Sequence, residues 1–250
     1  MKFQTRAVNS VGSSQFGETM TPIVQSSAFA YDTPQELEAV FEGRQFGHVY
    51  SRISNPTVSS LEQKLTHLEQ GRGTVAVASG MAAVHAVCLA LVKSGESIVV
   101  STSLFGGTYL LFKDVIEPLG ITVHYVDPLD HQAIKDAITE STRFVFVEAI
   151  GNPKLDVPNL KEIAIIAHTH NIPLCVDTTL VTPYLLDAKS HGVDIVVSAA
   201  TKYLAPSGTT VGGYVCDLGN FSWKQSKSEG VQELSKRTGD FGFMVYIKQK

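Results

Sequence analysis

The chain has little surplus charge of either sign. Its 20 Lys and Arg against 24 Asp and Glu leave a formal net charge of -4 over 250 residues. The basic residues are scattered rather than clustered as a phosphate backbone requires, so nucleic acid is not an expected partner. Cysteine is sparse too. Cys88, Cys175 and Cys216 lie far apart inside apolar stretches, and three is an odd number. That argues against a disulfide framework and for reduced, buried thiols in a cytoplasmic protein. No apolar run approaches the roughly 20 residues that span a bilayer. The start, MKFQTRAVNSVGSS, has no apolar core of secretory length, so neither a membrane nor a signal peptide is expected. The sequon Asn220-Phe221-Ser222 is then without consequence. GxxxxGK[ST], GxGxxG, HExxH, CxxC and GxSxG are all missing, which removes common nucleotide, metal and serine-hydrolase sites. His168 and His170 are two apart on a predicted helix and would point apart.

What is present is a globular composition, 44% hydrophobic and 18% charged, in a chain long enough to bury a large core. Residues 1–55 show little periodicity and read as an extended arm. It carries one short helix near Thr33–Phe41, where Thr33 precedes Pro34 as a cap. From about Asn55, short β-branched apolar runs alternate with helical patterns, which signals βαβ units and a parallel sheet. The expected strands are Thr74–Ala78, Ser97–Ser101, Thr122–Val126, Arg143–Glu148, Ile172–Asp177, Asp194–Ala200 and Gly212–Cys216. Expected helices are Met81–Lys93, Tyr109–Leu119, His131–Ile138 and Leu160–His170. The strands are almost continuously apolar, as when helices cover both faces. The stretch from Leu218 to Lys250 is more polar and carries no clear pattern.

In open α/β sheets, ligands bind beyond the carboxyl ends of the strands. Ser79-Gly80-Met81 follows the first strand and leads into a helix. There, free backbone N–H groups and the helix dipole favour a phosphate, and glycine lets the backbone approach. A plain serine N-cap fits the same residues. Ser103 to Thr108 follow the second strand, and Glu148 and Asn152 the fourth. Asp177 ends the fifth strand, where an unpaired carboxylate is expensive. It either caps the turn at Thr178 or Thr179, or pairs with a protonated ring nitrogen. Lys202, after the sixth strand, is either solvated or an amine able to form a Schiff base with a carbonyl cofactor. An acid, an amine and a phosphate seat on one rim are stronger together than any one alone.

At these residues the sequence resembles the trans-sulfuration family of pyridoxal-phosphate enzymes, and most closely its O-acetylhomoserine sulfhydrylase branch. The resemblance is carried by PIVQSSAF, YSRISNPT, ASGMAAV, LFGGTYLLF, EAIGNPK, VDTTLVTP and ATKYLAPSGTTVGG. It implies an aspartate-aminotransferase-like (fold type I) large domain with an N-terminal arm over 1–55. The cofactor-binding α/β domain would cover 56–217, and 218–250 would begin the linker to a C-terminal domain that is missing here. That domain would carry the arginine clamping the substrate carboxylate. The implied cofactor is pyridoxal 5'-phosphate. Lys202 would hold it and shuttle the Cα proton, Asp177 would pair with the pyridine nitrogen, and Asn152 would lie near the ring hydroxyl. Phe105 would stack on the ring, and Ser79, Gly80, Met81 and Thr201 would surround the phosphate. Tyr50 and Arg52 would reach the phosphate of a neighbouring subunit in a homotetramer built as a dimer of dimers.

Two positions depart from the family pattern. Phe105 replaces a usual tyrosine, keeping a ring but losing a hydroxyl. Ala199 replaces a serine, whose lost bond to the phosphate is worth about 1.5–3 kcal/mol; Ser198 should face the other way. The implied reaction is γ-replacement on O-acetylhomoserine by sulfide or a thiol, giving homocysteine or methionine. The alternatives are cystathionine or methionine γ-lyase, cystathionine γ-synthase, or an inactive cofactor-binding fragment.

Overall fold

The computed structural model describes residues 2–8, 18–205 and 208–249. Residues 9–17 of the expected arm, and Pro206 and Ser207 of the motif ATKYLAPSGTTVGG, lie outside the described residues. The chain divides into two compact units, Met1–Leu68 and Glu69–Lys250.

The first unit holds α1 (Phe3–Val8), α2 (Pro34–Phe41) and nearly all of α3 (Pro56–Glu69). Thr33 caps α2 as expected: its backbone is extended and its hydroxyl accepts the Glu36 amide. Helix α3 was not among the expected helices. Its apolar residues Val58, Leu61 and Leu65 have helical spacing, but polar residues separate them and hide the period. The start is set by Pro56 at the first helical position and by Asn55, whose Oδ1 accepts the Thr57 amide at 2.9 Å. The Asn55 amide group also donates to Val24 O at 3.1 Å, and the Val24 amide donates to Thr57 Oγ1 at 2.9 Å, tying the preceding extended segment to the helix start.

In the second unit, seven strands form one sheet among the described residues: β1 (Gly73–Val77), β2 (Ser97–Ser101), β3 (Thr122–Val126), β4 (Thr142–Glu148), β5 (Leu174–Asp177), β6 (Ile195–Ala199) and β7 (Gly213–Asp217). Their spatial order is β1-β7-β6-β5-β4-β2-β3. Only β7 runs against its neighbours; the other pairings are parallel. This is the mainly parallel α/β sheet that the apolar runs predict. Each crossover returns through helices: α4 (Gly80–Leu91), α5 (Gly106–Leu111), α6 (His131–Ala137), α7 (Leu160–Thr169) and the short α8 (Thr182–Leu185).

The helix expected over Tyr109–Leu119 is different in detail. It begins earlier, as α5, then widens into a π-helical turn over Phe112–Ile116 and tightens into a 3-10 turn over Glu117–Leu119. Pro118 cannot donate to the preceding turn, and Gly120 takes the left-handed conformation that ends it. The wide turn keeps both Phe112 and Ile116 fully buried.

Helix α4 is apolar on nearly every face because it is covered on nearly every face. It packs on β6 and β7 on one side and on α9 (Glu229–Thr238) and α10 (Gly242–Lys248) on the other. These last two helices lie in the stretch without clear sequence pattern. They close the core: Trp223 stacks on Phe243 with ring centroids 4.3 Å apart, and Met244 and Ile247 join the same cluster. Cys88, Cys175 and Cys216 are free and buried, as expected.

Two buried acids sit beside this core. Asp217 accepts from Trp223 Nε1 and from the Gly219 amide, both at 2.8 Å, with Arg72 at 3.4 Å. Burial pushes it up to about 6 from its usual 3.8 despite those donors. Glu69 accepts the Tyr214 hydroxyl at 2.6 Å, and burial pushes it up to about 7 from its usual 4.5. Both carboxyls therefore keep a proton in the folded chain at pH values where the unfolded chain has lost it. Their stabilising contribution is complete below the ordinary values and is lost as pH rises through the raised ones.

Chemical denaturation at a series of pH values will show Glu69→Gln losing less stability than the natural chain as pH rises from about 4.5 to about 7. Parallel curves would contradict the assignment. In the same assay at fixed pH, Trp223→Ala removes a fully buried ring and lowers the unfolding free energy by about 3–5 kcal/mol.

Candidate cofactor site

A cavity of about 260 Å³ lies at the carboxyl ends of the parallel strands, lined wholly by the second unit. Its wall contains Ser79, Gly80 and Met81 after β1, Phe105 and Thr108 after β2, and Glu148, Ile150 and Asn152 at the end of β4. Asp177, Thr179 and Leu180 come from the end of β5, and Ala199, Thr201 and Lys202 from the end of β6. The parallel register makes this convergence unavoidable: Glu148 stands opposite Asp177, and Asp177 opposite Val197, two residues before Ala199. Ser79, Gly80, Met81, Phe105, Asn152, Asp177, Thr201 and Lys202 were each singled out from the sequence, and the fold brings them to one wall. Tyr50 and Arg52 belong to the first unit, where the Arg52 guanidinium lies 5.3 Å from the centroid of the Tyr50 ring.

At the start of α4, Ser79 is an N-cap. Its hydroxyl accepts the Ala82 amide at 3.0 Å and its carbonyl the Ala83 amide at 3.1 Å. The amides of Gly80 and Met81 precede these and have no acceptor within the helix. Glycine is required here by contact. A Cβ at Gly80 would lie 2.6 Å from the Ala199 methyl, and one at Gly213 would lie 2.4 Å from Ser79 O. The helix start is therefore pressed onto the end of β6 and the beginning of β7, with its free amides at the cavity.

Asp177 is half-buried at the end of β5. Its Oδ1 accepts the Thr179 amide at 2.8 Å, the turn-capping bond that its sequence position allowed. Burial raises its pKa above the usual carboxylate value, opposed by the bonds from Thr179. No cation among the described residues is paired with it. The Thr179 hydroxyl also bonds the Asp177 carboxyl, and it accepts the Ala199 amide at 2.8 Å, so it links the ends of β5 and β6. Ser198 turns away from the cavity and bonds the buried Tyr214, as strand alternation requires.

Glu148 has no role in the sequence reading beyond ending a strand. Its signal was the one used for Asp177, a carboxylate closing an apolar β-run. It is buried, its Oε1 accepts the Phe105 amide at 2.7 Å, and the Asn152 amide also bonds it. Burial pushes it up to about 7, the two amides pull against that, and the nearby Asp177 adds to the rise.

The cavity fits a planar cationic aromatic carrying an anionic tail. A desolvated acid at one end awaits a positive ring nitrogen, an aromatic side chain offers a stacking face, and helix amides await the anion. Lys202 supplies the one amine in the wall.

Residues 4–241 match the family described as Cys/Met metabolism PLP-dependent enzyme. The O-acetyl-L-homoserine sulfhydrylase of Leptospira meyeri is 37% identical over 212 residues, covering 85% of this chain and 48% of that protein. The homocysteine synthase of Schizosaccharomyces pombe is 38% identical over 228 residues, covering 91% and 53%. The L-methionine gamma-lyase of Pseudomonas putida is 36% identical over 215 residues, covering 85% and 54%. Among solved structures, an O-acetylhomoserine (thiol)-lyase from Campylobacter jejuni, containing a pyridoxyl-lysine phosphate, superposes with a TM-score of 0.83 at 31% identity over 87% of this chain and 54% of that one. The chain spans about half the length of the curated relatives it matches. With seven strands in this order and a family match over nearly its whole length, the chain belongs to the pyridoxal-phosphate-dependent enzymes of cysteine and methionine metabolism.

Proposed function

We propose that this chain is the cofactor-holding part of an O-acetylhomoserine sulfhydrylase, a cytoplasmic enzyme that exchanges the γ-acetoxy group of O-acetylhomoserine for sulfide or a thiol. The products are homocysteine or methionine. The observation that carries the reading is the convergence of Lys202, Asp177 and the α4 start on one cavity, in a chain whose relatives include sulfhydrylases at 37–38% identity. When bound, pyridoxal 5'-phosphate supplies an electron sink conjugated to the substrate Cα.

Each residue then has a task set by its place. The Lys202 amine holds the cofactor aldehyde and afterwards moves the proton of the substrate Cα. Asp177, already desolvated, keeps the ring nitrogen protonated, which favours charge withdrawal from Cα. Asn152 orients the ring hydroxyl, and Phe105 covers a face of the ring. Ser79, Gly80, Met81 and Thr201 surround the phosphate. Tyr50 and Arg52 are assigned to the phosphate of a neighbouring subunit, in a tetramer built from dimers.

The methionine γ-lyase reaction is a second reading, favoured by the 36% identity to the Pseudomonas putida enzyme. Incubation with O-acetylhomoserine and sulfide, set against methionine or cystathionine alone, separates the two. Homocysteine formed only in the first mixture supports the sulfhydrylase, and ketobutyrate from the second supports the lyase. Lys202→Ala is expected to lose the visible absorption of bound cofactor and to lower turnover on the order of a thousandfold. An unchanged spectrum in that variant would overturn the assignment, and a normal spectrum without turnover in the natural chain marks a domain that binds cofactor only.

A further inference from the structure

We propose that Glu148 is a positioning residue whose carboxyl group clamps the backbone amides of Phe105 and Asn152, and thereby fixes two opposing parts of the cavity wall for the cofactor. The proposal rests on the cofactor reading above. Glu148 ends β4, is only 7% exposed and lines the cavity itself. The two amides it accepts come from different loops: Phe105 follows β2, and Asn152 follows β4.

Phe105 is held from both sides as a result. Its amide donates to Glu148, and its carbonyl accepts the amides of Thr108 and Tyr109 at 2.9 and 3.0 Å, which starts α5. Helix α5 receives no side-chain cap of its own, so the Glu148 bond is what fixes the entry of the chain into it. With both backbone groups fixed, the direction of the Phe105 ring follows from its side-chain rotamer alone. Phe105 is 48% exposed, with its ring lying over Gly107. On the other side of the clamp, Asn152 is held close to the same strand end.

The chemistry explains why an acid stands there despite its surroundings. Glu148 lies beside Asp177 in register, an arrangement in which two negative charges repel. Lys202 is the basic residue of the cavity lining, and no ion pair involving Glu148 is formed among the described residues. A glutamine would avoid the repulsion, but its neutral oxygen accepts an amide more weakly than a carboxylate does, and its NH2 cannot accept one at all.

The test uses the full chain at about pH 8, above the value of about 7 to which burial pushes Glu148. Amide hydrogen exchange is followed for Phe105 and Asn152, with Val145, in the middle of β4, as control. Pyridoxal phosphate affinity is measured by visible absorbance and circular dichroism for the natural chain, Glu148→Gln, Phe105→Ala and the double variant. Glu148→Gln is expected to speed exchange at Phe105 and Asn152 about tenfold, without change at Val145, and to weaken cofactor binding about tenfold. In the Phe105→Ala background the same substitution is expected to weaken binding less than about threefold, because the ring it positions is gone. Exchange within twofold of the natural chain overturns the clamp. Losses that multiply in the double variant overturn its action through Phe105. If Glu148→Gln does not fold, Glu148→Asp, which withdraws the carboxyl by one methylene, replaces it in the same cycle. A natural chain that binds no pyridoxal phosphate sinks the functional reading, and the exchange rates still decide the clamp.

Discussion

The site is organised around an acid that the fold has partly withdrawn from water. Asp177 ends a strand covered on both faces, and its burial raises the energy of its charged form. In the described structure that penalty is opposed only by bonds from Thr179. An anion held this way gains more from a cation placed beside it than an exposed carboxylate would, since less water is there to screen the charge. The same property makes it a selective partner. A protonated pyridine nitrogen relieves the desolvation, whereas a neutral ring leaves it in force. The β-sheet provides the rigidity this requires: Asp177 is flanked in register by Glu148 on β4 and Val197 on β6, so its position is set by the ladder rather than by a loop.

The second constraint is steric. The start of α4 can present its amides to the cavity only because two glycines let three backbone segments meet. Gly80 lies against Ala199, and Gly213 against Ser79. This contact gives the alanine at position 199 a different meaning from a simple loss. Its methyl is already packed on Gly80, and its amide is bound by the Thr179 hydroxyl at 2.8 Å. A serine there would have to place its oxygen in the narrow space facing the helix start. The same close approach makes the seat for an anion out of main-chain groups, which need no side chain to be effective.

How much of this could be read from the sequence follows from range. The strands and α4 were legible because both depend on local pattern: continuous apolar runs for strands buried on two faces, and an apolar helix after a Ser-Gly turn. The rim residues were legible for the same reason, since each is the first polar group after an apolar run. Helix α3 was not, because its polar residues mask a sparse apolar period. Helices α9 and α10 were not, because what fixes them is distant in sequence: Trp223 bonding Asp217 and stacking on Phe243, and Met244 reaching Gly73 at the far edge of the sheet. Tyr50 and Arg52 were visible only through the resemblance, as nothing in their local pattern marks them. Glu148 shows the opposite failure. It had the same signal as Asp177, an acid closing an apolar strand, but its function lies in bonds to two backbone amides, and backbone amides carry no sequence signature.

The distribution of charge around the cavity separates two tasks that a reaction on an amino acid requires. Among the residues of the wall, Glu148 and Asp177 are acidic and Lys202 is the basic one. In the proposed reaction an amino-acid substrate brings a carboxylate, and Lys202 is assigned to the cofactor aldehyde and to the Cα proton. Two acids in the same wall would repel that carboxylate if it approached from the strand ends. In the proposed reaction this repulsion turns the substrate's carboxylate away from Asp177 and Glu148, toward the side where Phe105 and Lys202 are exposed. On the proposed reading this wall holds the cofactor and keeps the substrate's charge from its floor. Lys202 is the base of this wall, so on the proposed reading a clamp for the carboxylate comes from outside it, and orientation of that kind is worth several kcal/mol of the barrier.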